Sequence, residues 1–131
     1  MIVDASALCA ILLGEEDSRV LSGRLGQERN ASTHPISFYE AVTALARENN
    51  LTVAEATEAT SEFLRVAEVS LVPIGQREML MALEAFARYG KGRHPAKLNM
   101  GDCFSYAVAK LRGMPLLYKG EDFAQTDLAQ S

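Results

Sequence analysis

Residues 1–16 read MIVDASALCAILLGEE, and they place one acidic side chain between two apolar runs. Met1, Ile2 and Val3 have the character of a short buried strand, and residues 5–13 carry the apolar spacing of a helix. Asp4 therefore lies at the point where a strand passes directly into a helix. Because an ionised carboxylate at the edge of a hydrophobic core is costly when nothing pairs with it, this position predicts a partner for Asp4.

The same alternation of short strands and longer helices continues along the chain. Strands are predicted over residues 1–4, 69–74 and 114–120, with a short crossing or strand over residues 31–35. Helices are predicted over residues 5–13, 17–25, 36–49, 52–66, 76–89 and 102–112. This order predicts a short, mainly parallel sheet with helices on both faces, in a three-layer α/β/α single domain over residues 1–131. Sites in such sheets form at the carboxyl ends of strands, which is where Asp4 is predicted to lie.

Composition and charge exclude several classes of protein. The 131 residues are 48% hydrophobic and 23% charged, which is typical of a folded protein. The net charge of −4 gives no support to broad, sequence-independent coating of nucleic acid. Cys9 and Cys103 lie in apolar helical patterns without ligand spacing, so they are interpreted as small buried hydrophobic residues. With no predicted membrane span or signal peptide, the sequence predicts a reduced, cytoplasmic protein.

Glu40 belongs to a narrow polar stripe on an otherwise apolar helix. Glu40, Thr43 and Arg47 follow the spacing i, i+3, i+7, which places them on one face. The stripe is either the solvated face of this helix or a functional face, and the pattern alone leaves both open.

Asp102 and Asp122 each begin a segment near the predicted strand ends. Asp102 opens a helix, where aspartate is a favoured N-cap, and the same carboxylate can also face a cation. Asp122 stands beside Phe123, an apolar residue that would anchor the tail to the core. Acids in a tail are also commonly solvated, so both interpretations of Asp122 stay open.

Four acids that met in one place would need protons or a cation. Each like-charge pair about 4 Å apart repels by roughly 4 kcal/mol at an effective dielectric near 20. A set of oxygen ligands without cysteine or histidine suits Mg²⁺ or Mn²⁺ and not zinc. Because Mg²⁺ is commonly bound together with phosphate oxygens, the expected substrate is a phosphate ester. The cation would generate hydroxide and stabilise the entering and leaving oxygens.

Four stretches spread over the chain carry a family resemblance. MIVDASAL (1–8), FYEAVTAL (38–45), LNMGDCFSYAVAK (98–110) and LLYKGEDFAQTD (116–127) resemble, in this order, the PIN-domain ribonucleases, specifically the VapC toxins of type II toxin–antitoxin pairs. The resemblance implies metal-dependent endonucleolytic cleavage of RNA.

The resemblance also implies roles for individual residues. Asp4 and Asp102 match the principal metal-binding acids, Glu40 matches the acid of the middle helix, and Asp122 is the best match for a fourth acid. Ser6 matches a hydroxyl residue that is expected to hold Asp4 by a hydrogen bond, although starting the helix is an equally good role.

One position departs from the family pattern. Many relatives carry an acid directly after the last strand, where this chain has Gly120. Asp122 is expected to take that role with Glu121 or Asp127 assisting, or else the site operates with three acids.

Four basic residues precede the helix of Asp102 and form what we call the basic rim: Arg88, Lys91, Arg93 and Lys97. The rim is either an ordinary solvated loop or a surface that holds RNA phosphates. The family resemblance further implies a VapB-like antitoxin that blocks the pocket and a homodimer, for which the helices around residues 36–66 offer apolar surface. It implies no direct DNA binding without the antitoxin, and no membrane partner is expected.

Competing site classes lack their defining residues. A phosphoaccepting receiver domain needs an acid at the end of a central strand, and VSLVPIG (69–75) has none. A haloacid-dehalogenase-type phosphatase needs a second aspartate where Ser6 stands. Phosphate-binding glycine loops and a serine nucleophile elbow are absent from the sequence. The predicted function is therefore an Mg²⁺- or Mn²⁺-dependent endoribonuclease, and the alternative is a PIN-like antitoxin-binding module with little or no nuclease activity.

Overall fold

The computed structural model describes residues 1–128, in which a four-stranded sheet lies between layers of helices. The strands are β1 (Ile2–Val3), β2 (Ala31–Thr33), β3 (Val69–Leu71) and β4 (Leu116–Leu117). The helices are α1 (Ala5–Leu12), α2 (Ser18–Gly26), α3 (Pro35–Glu48), α4 (Val53–Val66), α5 (Gln76–Tyr89) and α6 (Met100–Arg112), with a 3₁₀ turn at Phe123–Gln125. Residues 129–131 of the predicted tail lie outside the described residues.

The predicted parallel sheet is confirmed, with β1 next to its centre. The strand order is β3-β2-β1-β4, and every neighbouring pair is parallel. Ile2 is in register with both Ser32 and Leu116, so β1 is hydrogen-bonded on both edges. The residue that follows β1 therefore emerges between two neighbouring strands.

The two residues of β1 pack into opposite layers because successive strand side chains point to opposite faces. Ile2 belongs to a core shared with Leu116 and residues of α5 and α6. Val3 belongs to a second core with Leu117, Leu8 and residues from α2, α3 and α4. Both strand residues have no exposed surface. These two cores establish the predicted three-layer arrangement.

All four predicted strands are longer in the sequence pattern than in the structure, and the difference is largest for β3 and β4. The strand predicted over residues 69–74 ends at Leu71, and the strand predicted over residues 114–120 covers only Leu116–Leu117. Pro73 and Pro115 lie just outside these limits, and proline lacks the N–H that a sheet ladder requires.

The start of α6 also differs from the prediction. The helix begins at Met100, and its N-cap is Asn99, not Asp102. The side chain of Asn99 accepts a hydrogen bond from the Asp102 N–H at 2.9 Å, and the Asp102 carboxylate accepts one from the Asn99 N–H at 3.0 Å. The N-cap interpretation of Asp102 was therefore wrong, because this residue is the third in the helix and the acidic half of a capping box. Thr52 and Glu55 form a similar capping box at the start of α4.

None of the helices within residues 1–128 combines the length and the apolar character needed to cross a membrane.

Candidate active site

A polar cleft of about 340 Å³ opens where Asp4 leaves β1, between α1, α3 and the first turn of α6. Three of the four acids that were expected to converge, Asp4, Glu40 and Asp102, line this cleft together. They come from a strand end, the middle of a helix and the start of another helix. The fold therefore gathers carboxylates that lie far apart in the sequence.

The carboxylate of Asp4 is held by hydrogen bonds on both oxygens. Its side chain accepts from the Ser6 N–H at 3.0 Å and from the Ser6 hydroxyl at 2.6 Å, both through Oδ2. Oδ1 accepts from the hydroxyl of Ser105 on α6. The hydrogen bond predicted between Ser6 and Asp4 is present, and Asp4 also caps α1. These donors explain how a carboxylate that is only 2% exposed tolerates its position.

None of these three acids takes part in an ion pair within residues 1–128. Those pairs join Arg47 to Glu48, Arg65 to Glu62, Lys110 to Asp127 and Lys119 to Glu15. The negative charge of the cleft is therefore not neutralised by a salt bridge within the described chain.

Burial and mutual repulsion raise the pKa values of two cleft acids. The pKa of Glu40 rises to about 7, mainly because of burial and further because of the charges of Asp4 and Asp102. Burial is also the largest cause that raises the pKa of Asp102 to about 6, while its hydrogen bond from Asn99 acts in the opposite direction. The cleft therefore binds protons near neutral pH unless a cation replaces them.

Gly101 allows Glu40 to approach the first turn of α6. A Cβ at residue 101 would overlap the Oε1 atom of Glu40 and lie 2.8 Å from its Cδ. The positive end of the α6 dipole is a favourable place for this carboxylate. The sequence analysis did not identify Gly101, although a glycine inside a helix lowers its stability and is therefore a signal that the position has a packing or functional reason.

The polar stripe of α3 faces the cleft. Thr43 and Arg47 line it beside Glu40, which favours the functional interpretation of this stripe. Cys9 is a further cleft residue, and burial together with the charges of Glu40 and Asp4 raises the pKa of its thiol to about 11. The thiol of Cys9 is therefore neutral at pH 7. Cys9 is only partly buried because it borders the cleft, so its predicted burial was wrong, while Cys103 is buried as predicted.

The acids after β4 lie outside the walls of the cleft. Asp122 is exposed and precedes the 3₁₀ turn, where Phe123 is buried against Tyr118 with ring centroids 5.1 Å apart. The anchoring role expected for Phe123 is thus present. The charge of Asp122 contributes to the raised pKa of Asp102, whereas Asp127 forms an ion pair with Lys110 at 2.9 Å.

The basic rim also lies outside the walls of the cleft, on the segment that leads into Asn99. Arg88 lies over the Tyr89 ring at 4.7 Å, and Arg93 lies over the Phe86 ring at 5.5 Å. Lys91 and Lys97 are exposed.

Comparison with known proteins identifies the family. Residues 1–128 match the PIN domain family. The chain is 43% identical over 129 residues to a ribonuclease VapC of Mycolicibacterium smegmatis, and the match covers 98% of both chains. In an alignment of 138 positions it is 41% identical to a VapC ribonuclease of Rhizobium meliloti, and the alignment covers 96% of this chain and 97% of that protein.

The chain belongs to the VapC ribonucleases of the PIN-domain family.

A solved VapC structure supports the fold assignment. The crystal structure of Mycobacterium tuberculosis VapC20, described as a toxin that cleaves the sarcin–ricin loop, superimposes with a TM-score of 0.73. The match covers 94% of this chain and 92% of VapC20 at 19% sequence identity. At this identity the likeness concerns the PIN fold alone.

The oxygen ligands of this PIN-domain cleft fit a hard divalent cation. Within residues 1–128, no three acidic, cysteine or histidine side chains are placed so that they could hold a metal ion together. Mg²⁺ does not need such a set of three, because one or two carboxylates and several waters satisfy its coordination. Asp102 uses Oδ2 for its capping bond, and one carboxylate can serve the helix and a cation through different oxygens.

We expect the raised pKa values of Glu40 and Asp102 to lower the stability of the metal-free VapC protein as the pH rises, while the lowered pKa of the buried His34 acts in the opposite direction. Glu40 and Asp102 start from ordinary pKa values of 4.5 and 3.8 and reach about 7 and about 6 in the folded protein. Between these limits the two acids bind more protons in the folded state than in the unfolded state, so their contribution to the free energy of unfolding falls with increasing pH. This contribution is fully present below the unfolded pKa values and is lost as the pH rises through the folded values of about 6 and about 7.

Melting temperatures measured in EDTA from about pH 4 to about pH 8 test this expectation. Relative to the wild type, Glu40→Gln should lose less stability over this pH range because glutamine stays neutral, whereas Glu58→Gln on the exposed face of α4 should follow the wild-type curve. A Glu40→Gln protein with the wild-type slope would contradict the electrostatic explanation.

Proposed function

We propose that this protein is an Mg²⁺- or Mn²⁺-dependent endoribonuclease that acts as the toxin of a toxin–antitoxin pair. The observation that carries the proposal is the meeting of Asp4, Glu40 and Asp102 in one cleft where none of them takes part in a described salt bridge. Similarity to VapC ribonucleases over nearly the whole chain supports the choice of RNA as the substrate.

Asp4 and Asp102 would hold the cation. When bound, it would supply a hydroxide nucleophile and stabilise the oxygens that enter and leave the phosphate. Ser6 fixes one oxygen of Asp4 through two donors. Glu40, whose pKa is raised to about 7, is suited to exchanging a proton at its carboxylate near neutral pH.

Asp122 is proposed as the fourth acid of the site. Its charge acts on Asp102, which supports a position near the cleft even though it does not line the wall. A shift of the segment between Gly120 and Phe123 would be needed to bring its carboxylate into the cleft.

The basic rim and Arg47 are proposed to bind RNA phosphates on two sides of the acids. Arg47 lines the cleft, and its side chain is 69% exposed, so it is available to a polyanion. The rim consists of Arg88, Lys91, Arg93 and Lys97, and its chain segment enters the cleft wall at Asn99. Phosphate contacts of this kind position RNA without reading its sequence.

Further proposals follow from the family. We propose a single PIN-like domain over residues 1–131, a cytoplasmic location, a VapB-like antitoxin, and no direct DNA binding by this chain alone. A homodimer is supported by apolar surface on and beside α3 and α4, where Tyr39 and Val53 are 70% and 64% exposed.

Removal of the metal provides the direct test of the proposed nuclease. Purified, antitoxin-free protein should cut total cellular RNA into discrete fragments with Mg²⁺ or Mn²⁺, and an excess of EDTA should stop the reaction. Cleavage should also slow as salt rises, because recruitment of RNA by basic side chains releases counterions. A folded protein that binds Mn²⁺ but leaves RNA intact would instead support an antitoxin-binding module. Cleavage that continues in EDTA would contradict the metal mechanism.

A further inference from the structure

Three side chains form a buried polar cluster beneath Asp4. His34, Ser37 and Ser105 each have no exposed surface, and they come from the end of β2, the first turn of α3 and α6. His34 Nε2 lies 2.9 Å from the Ser105 hydroxyl oxygen and 3.1 Å from that of Ser37. The two hydroxyl oxygens are 3.2 Å apart. Buried polar groups are costly unless they are satisfied, so this cluster requires a structural or functional reason.

The hydrogen-bond directions in this cluster are determined by its ends. At one end, Oδ1 of Asp4 accepts a hydrogen bond from the hydroxyl of Ser105. At the other end, Nδ1 of His34 accepts from the Ser37 N–H at 3.4 Å. Burial lowers the pKa of His34 to about 4, so its ring is neutral at pH 7 and carries its hydrogen on Nε2.

The remaining donors then all point in the same direction. The single hydrogen of Ser105 points to Asp4, so within the cluster the Ser105 oxygen only accepts, and its two neighbours there are Nε2 of His34 at 2.9 Å and the Ser37 hydroxyl at 3.2 Å. The Ser37 oxygen accepts from the backbone N–H of Ala5 at 3.1 Å, which leaves the Ser37 hydrogen directed to Ser105. Every donor in the cluster therefore points toward Asp4.

We propose that His34, Ser37 and Ser105 are positioning residues that hold Oδ1 of Asp4 for a divalent cation. This inference rests on the proposed metal-dependent function. Ser6 holds Oδ2 from the side of α1, and Ser105 holds Oδ1 from α6, so the carboxylate is fixed from two separate elements. Outer hydrogen bonds of this kind orient metal-binding carboxylates and contribute to metal affinity.

The first experiment measures the cluster directly in the metal-free protein. Long-range ¹H–¹⁵N spectra distinguish the two neutral tautomers of histidine, and the chain has only two histidines to assign. We expect the Nε2–H tautomer for His34 at neutral pH, and we expect its signal to change in Ser105→Ala. A neutral Nδ1–H tautomer or a charged ring would overturn the proposed hydrogen-bond directions, whatever the activity of the protein.

The second experiment measures the effect on the metal site by Mn²⁺ titration calorimetry. Ser105→Ala should weaken Mn²⁺ binding by about 10- to 100-fold. The matched control is Thr60→Ala, which also removes a fully buried hydroxyl. The Thr60 hydroxyl donates to the Ala56 carbonyl within α4 at 2.8 Å and makes no hydrogen bond to the cluster. His34→Ala removes the donor at Nε2 and should also weaken Mn²⁺ binding, whereas His34→Gln keeps a donor near that position and should bind Mn²⁺ close to the wild-type affinity.

The outcomes separate this inference from the proposed function. If the wild type binds Mn²⁺ and cleaves RNA while Ser105→Ala matches Thr60→Ala, the positioning role is wrong and the nuclease stands. If the wild type binds no Mn²⁺, both fail. If Ser105→Ala does not fold, the tautomer and the two His34 variants still decide the question, because a His34→Ala protein with the same Mn²⁺ affinity as His34→Gln would overturn the positioning role.

Discussion

Replacement of Asp4 by asparagine is expected to lower the rate of RNA cleavage by about 10³-fold. A metal ion contributes several kcal/mol to the stabilisation of such a transition state, and each 1.36 kcal/mol corresponds to a factor of about ten. Asparagine removes the charge and also turns one of the two acceptor oxygens of Asp4 into a donor. That donor would face either Ser6 or Ser105, both of which already donate to this side chain.

Cleavage rates and Mn²⁺ affinity of Asp4→Asn should be measured beside Asp17→Asn. Asp17 precedes α2 and makes no side-chain capping bond, so its replacement should leave both quantities unchanged. Because the charge of Asp4 raises the pKa values of Glu40 and Asp102, both values should fall in Asp4→Asn. Equal cleavage by wild type and Asp4→Asn would mean that the acids have been assigned to the wrong reaction or that the preparation is contaminated.

Replacement of Gly101 by alanine is expected to cost about 10²-fold in cleavage rate without unfolding the protein. The added methyl group would occupy the space of the Glu40 carboxylate, and a displacement of about 1 Å in a catalytic group costs on the order of 10²-fold. The same change at Gly23, a helical glycine with no atom within 4 Å of the added Cβ, should leave activity intact. It should stabilise the fold by roughly 0.5–1 kcal/mol.

A double replacement tests whether Gly101 acts through Glu40. In a Glu40→Ala background the carboxylate is gone, so Gly101→Ala should cause no further loss of activity. Non-additivity of this kind is expected for residues in contact, whereas independent effects add. If the cleavage rate of the double variant falls by the product of the two single fold-changes, Gly101 acts on some other part of the site.

Part of this site followed from local pattern. Asp4 was placed at a strand end because Met1, Ile2 and Val3 form an unbroken apolar run, which is typical of a strand buried on both faces of a parallel sheet. The position of Glu40 on a polar stripe followed from helical spacing. Both signals are contained within about ten neighbouring residues, so no knowledge of the tertiary fold was needed to read them.

The cap of α6 shows where local pattern was insufficient. Asn99 and Asp102 are both good capping residues, and their spacing permits either to begin the helix. The choice of Asn99 leaves the Asp102 side chain in the first turn, where one oxygen closes the capping box. The sequence analysis therefore identified the right acid but assigned it the wrong helix position.

By itself, the sequence determined the order of strands and helices, the parallel sheet and the place of Asp4 at its carboxyl edge. These features depend on burial patterns between residues that are close along the chain. Only the tertiary structure decided that Glu40 and Asp102 join Asp4 while Asp122 stays outside the cleft wall, and that Gly101 makes room for Glu40. It also brought Ser105 to Asp4 across 101 residues of chain. Such contacts depend on how whole elements pack, and the spacing of neighbouring residues carries no information about them.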